Sequence, residues 1–224
     1  MNDFTPYKQQ VVEICRALLE RGYLKTTEGN VSVRIPAKNA FAITPSSYDY
    51  AIMQVEDICV LSADAQVLEG QRKPSIESGM HATVYQWRPD VQAIIHTHQP
   101  YASALAIINQ SIPALFDEQV RYLGRSVEIV PYAPSGTGLL KNNVRSRLKN
   151  GNNAYILQNH GVLVLGGTIE RAIFNMALLE KCALVYLLAL LTEKKVTRIP
   201  LAVREITFAK LRADEAKLKG AEHD

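Results

Sequence analysis

The chain has 224 residues, 47% of them hydrophobic and 21% charged, which suits one sizeable core and excludes a disordered chain. A net charge of +3 with no long basic run argues against a nucleic-acid partner. The most apolar stretch, CALVYLLALL at 182–191, is half the roughly twenty residues that a membrane span needs. It reads as part of a core helix, so no membrane partner is expected.

In chain order, Val11, Ile14, Cys15, Leu18 and Leu19 recur at helical spacing, which predicts a helix over 5–21 with Gly22 as its stop. NVSVRI alternates like a half-buried strand, FAIT at 41–44 follows after the turn PAKN, and DICVLS and QVLEG supply two further strands. Pro74 and Ser75 open a helix that runs to Trp87 and stops before Pro89. VQAIIHTH reads as a strand, YASALAII after Pro100 as a helix, SVEIVPY as a strand and LLKNNVRSRLK as a short amphipathic helix. AYILQNHGVLVLG reads as two strands meeting at Asn159-His160-Gly161, followed by a long helix over 168–194 and a charged surface helix from 204 onward. This mixed order predicts a single α/β domain over 1–224, with 203–224 as a charged tail. The leading MNDFTPYKQQ lacks the apolar core of a secretory leader. Cys15, Cys59 and Cys182 are scattered and odd in number, which fits a reducing, cytoplasmic compartment. Cys15 and Cys182 are expected as buried small side chains on helices.

Of the five histidines, His96 and His98 stand two apart on a strand, which puts both rings on one face. Such a pair offers two nitrogens to one ion, or is simply two polar groups at a strand end. His160 lies between apolar strands beside Gly161, a residue that lets the backbone bend and fix the ring. Three histidines with an open fourth position make the pattern of a catalytic zinc site. Glu77 is expected in the first turn of its helix, as a helix-dipole partner or as a general acid/base beside the metal. His81, four residues on, either hydrogen-bonds Glu77 or packs, and a structural role is expected; none is expected for His223. Three loops, EGNVS, TPSSYD and KPSIE, carry the small residues Gly29, Ser46, Ser47 and Ser75, which admit an anion to backbone N–H groups and hydroxyls. SGTGLL at 135–140 lacks the spacing of a phosphate loop, so a nucleotide site is rejected.

The segments GNVSVR, ITPSS, KPSIESGMHATVYQWRPDVQAIIHTH, ASALAI, SIPAL and QNHGVLVLG stand together in one order across most of residues 24–167. In this the chain resembles the class II aldolase/adducin family, whose zinc members include sugar-phosphate aldolases and 4-epimerases. The resemblance implies one α/β domain with a central, mainly antiparallel sheet flanked by helices. It implies that His96, His98 and His160 hold one Zn2+ per chain, although Mn2+, Co2+ or Fe2+ suit the same donors. Glu77 would ligand the resting metal and then move the substrate proton. Gly29, Asn30, Ser46, Ser47 and Ser75 would bind a phosphate or polar tail. The family's common assembly is a homotetramer with the site between subunits.

Three departures stand out. The aldolases usually carry Thr-Gly at Ser46-Ser47 and Ser-Ser at Ser75-Ile76, and the segment after IPA holds Asp117 and Glu118 in place of a tyrosine proton donor. These two carboxylates are candidates for a second acid/base. The implied function is a zinc-dependent aldolase that cleaves a C–C bond of a small hydroxy-ketone or sugar phosphate through an enediolate, with no Schiff-base lysine. An epimerase, dehydratase or β-keto acid decarboxylase on the same scaffold is the alternative. A metal-free, adducin-like interaction protein is the further one; such relatives lack the histidines that this chain keeps.

Overall fold

A computed structural model describes residues 3–221, so His223 lies outside the described residues. Within them the chain runs α1 (Thr5–Glu20), β1 (Asn30–Ile35), β2 (Ala40–Ile43), β3 (Cys59–Ser62), β4 (Val67–Glu69), α2 (Ser78–Trp87), β5 (Ala93–Thr97), α3 (Pro100–Ile107), α4 (Asp117–Tyr122), β6 (Glu128–Val130), α5 (Gly138–Leu148), β7 (Ala154–Leu157), β8 (Gly161–Gly166), α6 (Ile169–Leu190) and α7 (Leu201–Ala221). These strands form one sheet in the order β4-β3-β2-β1-β5-β8-β7-β6, antiparallel throughout except for the β6–β7 pair.

The period-two alternation of the strands splits the apolar residues into two cores, one on each face of the sheet. Val31, Val33, Ile35, Ala93 and Ile95 meet α1, α3 and α6 on one face. Phe41, Ile43, Ile94, Leu163 and Leu165 meet α2 and α5 on the other. The α2 side of β1 is polar: Asn30, Ser32 and Arg34 all make side-chain hydrogen bonds to the α2 segment. Helix α6 is long and apolar enough to cross a membrane by length and composition. Its Ala172, Met176, Leu179, Cys182 and Ala183 are nevertheless buried, and it packs on β8, β5 and α3 as a core helix. Thr168 caps its start, the Oγ accepting from the N–H of Arg171 at 3.1 Å. Cys15 and Cys182 are buried on α1 and α6, and the three cysteines are unpaired.

Several local expectations change. PAK of the expected turn is a short 3-10 helix. The helix expected from Pro74 begins at Ser78: Pro74 bridges to Pro45, and the Ser75 N–H donates to the Thr44 carbonyl. Glu77 therefore occupies the position just before α2, not its first turn. Strand β5 ends at Thr97, leaving His98 one residue beyond it. Helix α4 was not foreseen. The charged tail also begins as helix α7 at Leu201 and is no mere surface decoration. Phe208 and Leu211 pack into a small core with Ala114 and Val120, and Glu215, 2% exposed, accepts from Asn153 Nδ2.

Candidate functional site

The antiparallel pairing of β5 with β1 and β8 sets Asn30 opposite His96 and His96 opposite Leu163. This register places His96 in the middle of the sheet, fully buried, on the α2 face. Its Nδ1 lies 2.7 Å from the Val162 carbonyl. A carbonyl only accepts, so Nδ1 carries a hydrogen and Nε2 is the nitrogen that faces the site, the arrangement that orients a metal-binding imidazole. His98 Nε2 stands 3.1 Å from His96 Nε2. His160 comes from the turn between β7 and β8, with its ring 4.7 Å from that of His96 and 5.1 Å from that of His98. One ligand nitrogen from each of the three lies within 4.8 Å of the others.

The turn that delivers His160 works differently from the sequence expectation. The left-handed residue is Asn159, at φ 52°, while Gly161 sits in β8. Gly161 is needed for space: a Cβ there would stand 2.5 Å from the Thr97 carbonyl oxygen and 2.6 Å from His98 Cδ2. Gly29 has the same role on the other side, where a Cβ would meet the His96 carbonyl at 2.4 Å. The two glycines let neighbouring backbone close directly on the histidine strand.

Glu77 is buried and reaches the histidines from the start of α2. Its Oε2 accepts from Asn30 Nδ2 at 2.8 Å and lies 3.1 Å from His96 Nε2, and Oε1 lies 3.4 Å from His160 Nε2. Burial alone would raise its pKa, but the charge and hydrogen bond of His96, then His160 and Asn30, hold the carboxyl well below the usual range. Burial likewise opposes a charge on His96, yet Glu77 raises its proton affinity. Burial and the charges of the neighbouring rings push His98 down to about 4, and burial and His96 lower His160. Three inward-facing imidazole nitrogens beside a carboxylate are the donor set that a divalent transition metal takes. The residues fit a metal on two further counts: two imidazole nitrogens lie in close contact, and a buried carboxylate has only histidines and Asn30 against it.

The remaining sequence candidates fall into different places. Asn30 holds Glu77 directly. The Ser46 N–H is taken by the Lys73 carbonyl at 2.8 Å. Ser47, at φ 52°, occupies the left-handed conformation that glycine adopts most readily. Ser75 is buried, its Oγ accepting from the Glu77 N–H at 3.2 Å. The His81 ring bonds Ser32, at 2.7 Å, rather than the Glu77 side chain. Asp117 and Glu118 are exposed at the start of α4, where Glu118 pairs with Lys181 of α6 at 3.2 Å, and the structure does not group them with the histidines. Ser135, a residue of the rejected glycine-rich stretch, comes within 3.3 Å of His160 Nε2. No spacing in the sequence signals that contact, because it depends on the loop before α5 folding back over the β7–β8 turn.

Comparison with known proteins agrees with this geometry. Residues 9–187 match the family described as Class II Aldolase and Adducin N-terminal domain. The 5-deoxy-D-ribulose 1-phosphate aldolase of Bacillus thuringiensis serovar kurstaki is 32% identical over 179 residues, covering 80% of this chain and 83% of the relative. The L-fuculose phosphate aldolase of Escherichia coli is 33% identical over 182 residues, covering 81% and 83%. A solved L-fuculose 1-phosphate aldolase superposes with a TM-score of 0.86 at 33% identity, over 92% of this chain and 96% of that one.

Proposed function

The chain belongs to the class II aldolase and adducin family, and on that premise we propose that it is a metal-dependent aldehyde-lyase. Its substrate would be a small phosphorylated hydroxy-ketone, cleaved at a C–C bond. The observation that carries this reading is the convergence of three histidines and a buried carboxylate at one point of the sheet.

His96, His98 and His160 would hold a divalent ion, Zn2+ being the first choice for three imidazoles. Such an ion supplies Lewis acidity at a carbonyl oxygen. Val162, through its carbonyl, keeps the His96 nitrogen aimed inward. Glu77, ionised and held by Asn30, carries the proton to and from the substrate carbon. Ser46, Ser47 and Ser75 border the arm that leads into Glu77 and would receive the substrate's polar end. Unpaired, separated cysteines suit a cytoplasmic enzyme. A homotetramer is the assembly we expect, since apolar side chains such as Ile107 of α3, Leu188 of α6 and Leu191 just past it stand exposed on one chain.

The test is metal content by mass spectrometry, followed by aldehyde release from L-fuculose 1-phosphate and 5-deoxy-D-ribulose 1-phosphate. About one transition metal per chain, lost in His96→Ala and His160→Ala, with aldehyde formed, is the expected result. Carbon dioxide release or sugar interconversion without aldehyde would replace the lyase with a decarboxylase or epimerase. No metal after zinc loading would leave an interaction protein.

A further inference from the structure

His81 is a fully buried, titratable side chain that the chemistry above does not use. It stands one helical turn after Glu77, its N–H donating to the Glu77 carbonyl, with its ring against β1. Its Nδ1 lies 2.7 Å from Ser32 Oγ, and Ser32 Oγ lies 2.8 Å from the Tyr85 hydroxyl. All three residues are buried.

Two links join three hydrogen-bearing groups, so one hydrogen stays unspent at one end, on the Tyr85 hydroxyl or on His81 Nε2. Ser32 is the hydrogen-bond partner of the Tyr85 hydroxyl among the described residues. A buried hydrogen without an acceptor costs roughly 1–3 kcal/mol wherever it is left, and the buried Glu77 Oε1, an acceptor without a donor on the same helix, favours the sense in which Tyr85 donates to Ser32. The single Ser32 proton then goes to His81 Nδ1, which must accept. In that sense His81 carries its hydrogen on Nε2. That Nε2 has no hydrogen-bond partner, and neither does Glu77 Oε1 or Asn30 Oδ1. An unspent donor and an unspent carboxylate oxygen thus lie one turn apart on the same helix. Burial is the main force keeping His81 neutral, the charge of His96 adds to it, and Glu77 opposes it.

We propose that His81 is a positioning residue for Glu77, its Nε2–H taking a carboxylate oxygen of Glu77 once the His96 nitrogen is committed to a cation. This rests on the metal site proposed above and deepens it. In the metal-free protein His96 Nε2 holds Glu77 at 3.1 Å. A cation on that nitrogen removes the bond, and the Tyr85–Ser32–His81 chain supplies a replacement donor at a fixed place. The carboxylate is then fixed at both oxygens, by Asn30 on one and His81 on the other.

The experiment is nitrogen-15 NMR of the histidine rings in the full-length protein, before and after one equivalent of Zn2+, with binding followed in parallel by chelator competition. The His81 signals are assigned by their loss in His81→Gln. Before zinc, His81 should be the Nε2–H tautomer, and Ser32→Ala should convert it to a mixture. Zinc should move the Nε2 proton downfield, and Glu77→Ala should abolish that movement. In the loaded enzyme, His81→Phe should lower kcat about tenfold with KM held, and His81→Gln, which keeps a donor near Nε2, should restore it to within about threefold. An Nδ1–H tautomer overturns the proposal. So does bound zinc that leaves the Nε2 proton unmoved, or moves it equally without Glu77. If zinc does not bind at all, the lyase reading fails and His81 loses its role with it.

Discussion

Replacing Gly161 with alanine should damage the metal site without touching a ligand. The added Cβ would lie 2.5 Å from the Thr97 carbonyl oxygen and 2.6 Å from His98 Cδ2. Ordinary contact starts at 3.4 Å, so the His98 ring must retreat by about 0.8 Å and β8 must also draw back from the Thr97 carbonyl by about 0.9 Å. Zinc–nitrogen bonds are about 2.0–2.1 Å long and tolerate only a few tenths of an ångström. A shift of this size should cost about 10- to 100-fold in zinc affinity, equivalent to roughly 1.4–2.7 kcal/mol. Overpacking should add a fold destabilisation of about 1–3 kcal/mol. The assay is zinc competition against a fluorescent chelator, beside urea unfolding of the metal-free protein. The comparison variant is His98→Ala, which removes the ligand outright. Wild-type zinc affinity in Gly161→Ala would refute the view that this glycine exists to seat His98.

Three further outcomes are expected. Asp90→Asn should destabilise the protein by about 3–5 kcal/mol in urea titration, because Arg88 is buried and holds Asp90 at 2.7 Å. Burial opposes the Asp90 charge, but Arg88 and then Arg212 depress its pKa below the unfolded carboxylate value. Its contribution is therefore present above about pH 4 and lost as pH falls, and the variant should show a flatter acid limb of stability. Glu180→Ala should cost about 2 kcal/mol by the same measurement, since its carboxylate accepts from the N–H groups of Tyr101 and Ala102 and caps α3 from another helix. Sedimentation should find a tetramer, and Leu188→Glu with Leu191→Glu should shift it to smaller species with the fold intact by circular dichroism.

Much of this was legible because strands and long helices announce themselves. NVSVRI alternates cleanly and is β1 from Asn30 to Ile35, and the spacing of His96 and His98 pointed to one face of β5. Short polar elements were not legible. DEQVRY carries too few apolar residues to show a period, and α4 is held by tertiary contact with α7. The start of α2 was misplaced because Pro74 and Ser75 look like helix openers, whereas Pro74 bridges to Pro45 and a turn over 75–78 intervenes before the helix. The role of Gly161 was misassigned for a related reason. Sequence says that a glycine is present, but only packing says whether it supplies a dihedral angle or a gap. Asn30 was placed at the site but not beside Glu77, 47 positions away, because that pairing depends on how α2 lies across β1.

The polar side of β1 works as a vernier against α2. Asn30 engages Glu77, Ser32 engages His81 and Tyr85, and Arg34 donates to the carbonyls of Tyr85 and Arg88. Two strand residues advance about 6.8 Å and four helical residues about 6.0 Å, so the two rulers stay nearly in step for three notches. The acid's location is thus a matter of phase between strand and helix, read off at three places. Loops on either side can lengthen, shorten or change sequence without moving the carboxylate. A fold built this way can exchange its loops and keep Glu77 in place, whereas one residue inserted between positions 78 and 84 would turn the rest of the helix by about 100° and break the phase between the notches on either side of it.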